Sequence, residues 1–357
     1  MATLISSTLK LYCWTGSFNA IPTQAQYTIT KKNPDSNNLI RFEIGELVQD
    51  YIDVEFSNNY NSIKTTCWWQ YTKTNEYSDL LTPTTSTQYG LATKGYTYFE
   101  DGLNSTLTTS KMFTNSYLYI PPNIEYFIPV YKGPNGVANV IFYTKDSSGI
   151  ESVADSKTNP TPFSGIPGTE NSNDYINYVS STVQASKIEI VSTNTSSSSY
   201  NSETGSATET VYPVFLDCSK YINYKISFIN KFGAVQDLYF NKKRTDSFAA
   251  KRDNYTTSTI KSSSTAVSYN QYNPTSIVQD LSVKKSITLN TGFLREEYNE
   301  VMRQLFQSED VWIREENKTV PVNIKDSSFT YKSQLNDKLV NYTVQFEYAF
   351  DGINNIR

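Results

Sequence analysis

The chain is expected to be mainly β: two or three β-sandwich-like domains, ending in an α+β unit that carries one amphipathic helix. Three observations lead to this expectation. Val340, Tyr342, Val344, Phe346, Tyr348 and Phe350 occupy every second position, with Asn341, Thr343, Gln345 and Glu347 between them, which is the period of a strand buried on one face. Asn, Ser and Thr supply about a third of the residues, far above ordinary usage. With 28 Tyr and 18 Phe, that composition suits short strands and polar loops. The clearest long apolar stripe at helical spacing is Tyr298, Val301, Met302, Leu305 and Phe306.

The elements follow in order. Residues 1–148 read as an N-terminal β domain. Ile40, Phe42 and Ile44 alternate with Arg41 and Glu43, predicting a half-buried strand. After Gly45 the spacing of Leu47, Val48, Tyr51 and Ile52 changes to that of a short helix. Cys67 to Tyr71 reads as a strand whose adjacent Trp68 and Trp69 point to opposite faces. Gly133-Pro134-Asn135-Gly136 between two strand-like runs predicts a hairpin over 130–143.

Residues 149–210 are rich in Ser, Thr and Asn and read as a long loop or insertion with one strand near Lys187–Val191. A second β domain is expected over 211–285. Its clearest part is a hairpin in which Tyr224, Ile226 and Phe228 alternate before a turn at Asn230 to Gly233. Residues 286–357 form the expected α+β unit. It comprises a short strand from Ser286 to Asn290, the helix, strands at Val311–Ile313 and Val320–Ile324, and the alternating run from Val340. Glu296 and Glu297 fall in the helix's first turn, where the dipole favours negative charge.

Composition excludes several chemistries. The chain has no histidine, so neither a Ser-His-Asp or Cys-His nucleophile nor a His-ligated metal is available. Cys13, Cys67 and Cys218 are widely spaced and form no CxxC pair, which offers no zinc knuckle or redox dithiol; they read as small buried thiols. No phosphate-binding glycine loop and no EF-hand loop occur. The acids are scattered, and a glycosidase's two carboxylates at a set separation cannot be read from them. We therefore expect no catalytic residues, no cofactor and no metal. A net charge of −4 and a pI near 5.2 argue against specific nucleic-acid binding. No apolar run is long enough to span a membrane. The N-terminus lacks a basic segment followed by an apolar core, so no signal peptide and synthesis in a cytoplasm are expected.

Two places are candidate interfaces. Trp68, Trp69 and Tyr71 form one; strand geometry puts one of the two Trp on an outer face. The other is the basic run from Lys242, Lys243 and Arg244 to Arg252, which suits contact with an acidic neighbour or nucleic acid or, more plainly, a solvated loop after a hairpin.

Three segments together resemble a known set. They are Ile40-Arg-Phe-Glu-Ile-Gly-Glu-Leu-Val-Gln-Asp-Tyr-Ile52, the hairpin Ile226–Phe240, and the C-terminal pattern of Leu289-Asn-Thr-Gly-Phe293, Leu305–Ile313, Val320–Ile324 and Leu339–Ala349. The set is similar to virion tail proteins of tailed bacteriophages infecting Bacteroidetes, including crAss-like phages. The resemblance covers about half the chain and has no catalytic motif. It implies a non-enzymatic ring, hub or baseplate subunit located in the virion tail and made in the host cytoplasm. Such a subunit forms a homo-oligomeric ring around the tail axis and contacts other tail proteins and tail fibres. The alternative is a receptor-binding tail protein that stacks host surface glycans on exposed Tyr and Trp. A glycan-binding protein of a bacterial surface and a carboxylate-only hydrolase are more distant rivals.

Overall fold

The computed structural model describes residues 3–16, 18–60, 65–78, 82–102, 111–132, 137–158, 175–192, 200–201, 206–216, 220–258, 260–262, 266–269, 271–326, 330–331 and 339–351. The fold is mainly β, with several sheets and, among the described residues, two α-helices, one near the C-terminus.

The first layer is an antiparallel sheet of β1 (Leu4–Trp14), β2 (Tyr27–Lys32), β3 (Thr66–Tyr77) and β4 (Thr84–Thr93) in the order β2-β1-β3-β4. One face carries Leu9, Leu11, Cys13 and Cys67 and is covered by Val48 and Ile52 from the segment holding the short helix α1 (Gly45–Gln49). Cys13 and Cys67 are free and buried; Cys218 lies outside the described residues. The strand expected at Ile40–Ile44 joins no ladder among the described residues. Lys73 donates to the Ile40 carbonyl at 2.8 Å and Lys31 to the Arg41 carbonyl at 2.9 Å, so two ammonium groups take the acceptors that a neighbouring strand would have used.

The second layer comprises β5 (Tyr117–Ile120), β6 (Tyr126–Lys132), β7 (Val137–Lys145), β8 (Glu151–Thr158), β9 (Tyr175–Ser181), β10 (Lys187–Ser192), β11 (Tyr200–Asn201) and β12 (Ser206–Phe215). One sheet runs β11-β12-β10-β7-β8, with β5 parallel to β12, and β6 pairs with β9 as a separate ribbon. This corrects the hairpin expected over 130–143: β6 and β7 belong to different sheets, and the Gly-Pro-Asn-Gly segment falls outside the described residues. It also corrects 149–210 as a loop with one strand, since β8, β9, β10, β11 and part of β12 lie there, and β8, β9 and β10 pair across the 148/149 boundary. The ribbon is apolar on both sides because it is the middle of a sandwich. Tyr126, Ile128, Val130 and Val179 face the larger sheet, while Phe127, Tyr131, Ile176 and Tyr178 face the third layer.

The third layer is a seven-stranded sheet ordered β14-β13-β19-β20-β21-β18-β15. It is built from β13 (Tyr224–Ile229), β14 (Val235–Phe240), β15 (Thr245–Thr256), β18 (Ser276–Arg295), β19 (Val311–Glu315), β20 (Lys318–Ile324) and β21 (Leu339–Tyr348). A small hairpin of β16 (Ile260–Ser262) and β17 (Val267–Tyr269) lies between β15 and β18. Helix α2 (Tyr298–Gln307) buries Val301, Met302 and Leu305 against Ile226, Phe240, Leu289 and Phe346, matching the expected stripe. The expected boundary at 285/286 falls inside β18, whose two edges pair with β15 and β21. The second β domain and the C-terminal unit therefore share one sheet. Lys242 N donates to the Asn290 carbonyl at 3.3 Å, drawing the β14 end toward β18 and curling the sheet.

The three layers meet at one apolar cluster: Phe56 and Tyr60 from the first, Met112, Ile176 and Tyr178 from the second, Val235 and Trp312 from the third. Three phenols at or near this junction, Tyr60, Tyr178 and Tyr298, are almost fully buried, and burial pushes each above the ordinary value near 10, with Asp237 adding to the effect on Tyr60. A folded-state pKa above the unfolded one leaves stability intact below pH 10 and erodes it above, because only the unfolded chain ionises freely. Each such phenol costs about 1.4 kcal/mol per pH unit in that range. An alkaline titration is expected to show tyrosinate absorbance rising together with loss of the circular-dichroism signal. Smooth ionisation of every tyrosine with the dichroism unchanged would contradict these burials.

Candidate interaction surface

β15 and the first part of β18 leave the body of the protein as a two-stranded arm. All twelve residues of β15 are exposed, although they are regularly paired from Thr245–Thr288 to Thr256–Ser276 with one bulge near Asp253. At about 3.4 Å per residue the arm is about 40 Å long. Ile287 and Leu289 at its base are in the core. On the same face, further out, β15 carries Phe248, Ala250 and Arg252 opposite Lys285, Val283 and Leu281, and Val278 follows opposite Asn254. Phe248 is 77% exposed and Val278 49%, so the apolar face of the sheet continues beyond the core without cover. An isolated two-stranded ribbon is marginal in water, and an exposed apolar strip of this kind marks a contact surface.

The expected interface residues fall into three situations. Arg244 is taken up within the chain. It donates to Asp246 at 2.6–3.0 Å and to Glu315, and lies 4.9 Å over the Tyr224 ring. Lys242 and Lys243 are exposed at the arm's base. Trp68 is buried, its Nε1 donating to the Gly16 carbonyl at 3.2 Å and its ring edge-on to Phe18 at 4.9 Å. Trp69 is the more open of the two. It covers Gly90 on β4 so closely that a Cβ there would come within 2.8 Å of its ring, and it lies parallel to Tyr71 at 5.8 Å.

Beside Trp69 the sheet and the α1 segment leave an open cleft of about 930 Å³, lined among others by Glu43, Glu46, Gln49, Ala92 and Thr93. Glu43 and Glu46 are exposed, and their carboxylates have no partner among the described residues. Among the described residues the outer edge of β4 is likewise unpaired there. The sequence pattern does not disclose the arm: the basic run to Arg252 reads as a loop, yet it is a strand. The available signal was the absence of Gly and Pro from both Thr245–Thr256 and Ser276–Thr291.

Among the described residues no group of three or more acidic or cysteine side chains converges as metal ligands, and no helix is long and apolar enough to cross a membrane. No family model, no curated protein and no solved structure matches the chain.

Proposed function

We propose that the protein is a non-enzymatic structural subunit of a bacteriophage tail, of the ring, hub or baseplate kind, working by holding copies and neighbours in register. The observation that carries this reading is the arm. A paired ribbon about 40 Å long, exposed on both faces and apolar on one, has its natural use in an assembly where another chain covers it. Long unpaired strand edges are tools for such joining, because backbone hydrogen bonds can continue from one subunit to the next. The absence of histidine agrees with a mechanical role. The tail assignment itself rests on the resemblance of the three sequence segments.

Two measurements test the two halves of the reading. Replacing residues 246–284 by a short Gly-Ser turn is expected to leave the melting transition of the body in place. Sedimentation velocity is expected to show the oligomer reduced to monomer. An arm-less chain that associates as the parent does would remove the arm from assembly. Gold-labelled antibody on intact particles is expected to decorate the tail. Label on cell surfaces with none on particles would favour the glycan-binding reading, for which the parallel Trp69–Tyr71 pair offers a stacking surface.

A further inference from the structure

We propose that the arm of one copy docks on the Trp69 cleft of a second copy of this chain, with Arg252 paired to Glu43 and Glu46. The proposal rests on the reading of the protein as a repeating structural subunit and names the two surfaces that meet.

The chemistry of the two surfaces is matched. The arm's apolar residues are Phe248, Ala250, Val278, Leu281 and Val283; on the same face Lys285, opposite Phe248, lies 4.8 Å over the Tyr348 ring, and Arg252 stands directly opposite Leu281. Arg252 is exposed and its guanidinium makes no ion pair or hydrogen bond among the described residues. Lys251 and Lys284, by contrast, pair with Asp253 at 3.7 Å and Asp351 at 3.0 Å. A guanidinium within an apolar strip calls for a carboxylate on whatever covers that strip, because an unpaired charge removed from water is costly. The cleft supplies this arrangement in reverse: an aromatic and aliphatic floor of Trp69 and Ala92, rimmed by two partnerless carboxylates.

The long-range field points the same way. Residues 245–286 carry five basic and three acidic side chains, net +2, whereas the rest of the chain carries −6 of the total −4. Arm and body therefore attract between copies and steer the encounter.

The contact is assigned to two copies of the chain. No hydrogen bond or ion pair joins the arm to the cleft within one chain among the described residues. Two strands about 4.8 Å apart and about 40 Å long offer about 400 Å² per face, half of the roughly 800 Å² per partner in a standard interface. The remainder is available along the unpaired edges of β15 and β4, by strand addition. Arm-to-cleft contact is heterologous, so it builds a ring where the rotation closes.

The test is a charge swap on the full chain, read by sedimentation velocity over a concentration series. R252E alone and E43R/E46R alone are each expected to weaken self-association by at least about tenfold, with melting temperatures unchanged because all three side chains are exposed. The combined R252E/E43R/E46R chain is expected to regain the parent's association. Single reversals that associate like the parent would overturn the docking while leaving the assembly reading in place. A parent chain that stays monomeric throughout would remove the assembly reading first. Loss in both single variants without recovery in the combined one would show that the two surfaces do not meet each other.

Discussion

Asp237→Ala is expected to lower the unfolding free energy by about 3–5 kcal/mol, the usual cost of breaking a buried charge pair by removing one partner. Asp237 stands on β14 with its side chain only 10% exposed. It accepts hydrogen bonds from Tyr60 at 2.5 Å and Ser227 at 2.6 Å, and lies 3.5 Å from the Lys225 ammonium, itself 14% exposed. Tyr60 brings the first layer to this point and is stacked on Phe127 of the second at 3.8 Å. One carboxylate therefore ties three layers together. Its removal leaves the Lys225 cation without its counter-charge, held only by Asn58 Oδ1 and by the Tyr60 hydroxyl at 3.1 Å, and deprives two hydroxyls of their acceptor where water has little access. Denaturant unfolding should show a lower midpoint with one cooperative transition. Adding Lys225→Met should recover part of the loss, since removing both charges is far milder than removing one. A midpoint for Asp237→Ala within about 1 kcal/mol of the parent would place this junction outside the cooperative unit.

What the sequence discloses follows from which faces are buried. The α2 stripe and the β21 alternation were legible because each element hides one face and exposes the other, so packing imprints its period on the residue pattern. β6 was legible as a strand, but its pairing with β9, about fifty residues on, is non-local, and the turn residues at 133–136 suggested the nearer partner. Ile40, Phe42 and Ile44 alternate because the Ile40 side is buried, yet they pair with no strand among the described residues: alternation reports a buried face and not a hydrogen-bonded neighbour. The arm left a weak imprint: both faces of β15 are in water, and on β18 the period of two in Leu281, Val283, Ile287 and Leu289 is broken by Lys285. The cleft was out of reach for a different reason. Glu43, Glu46 and Trp69 are brought together only by the packing of the α1 segment on the sheet, and spacing along the chain does not encode that. Strand geometry sent Trp68 and Trp69 to opposite faces, but only the loop holding Gly16 and Phe18 decides that Trp68 is the one covered.

Phe346→Asp is expected to leave no folded C-terminal sheet. Phe346 is fully buried on β21, paired with Ile287 on one side and Ile324 on the other, with its ring perpendicular to Phe240 at 5.8 Å. Truncating such an aromatic costs about 3–5 kcal/mol through lost transfer energy and cavity formation. The new carboxyl then has no partner in a cluster of Ile, Val, Leu and Met side chains, and burying it unpaired adds several kcal/mol more whether it ionises or takes up a proton. The total is comparable to the whole stability of a domain, about 5–15 kcal/mol. The damage cannot stay local, because β13 and β14 line this core with Ile226, Phe228, Leu238 and Phe240 while Ile229 and Val235 reach the three-layer junction. Phe346→Leu, which keeps most of the volume, is expected to fold with a modest loss of about 1 kcal/mol and serves as the control for expression. Soluble Phe346→Asp protein with the parent's thermal transition would mean that β21 does not turn this face inward, and that the alternating run ending at Phe350 has been assigned to the wrong side of the sheet.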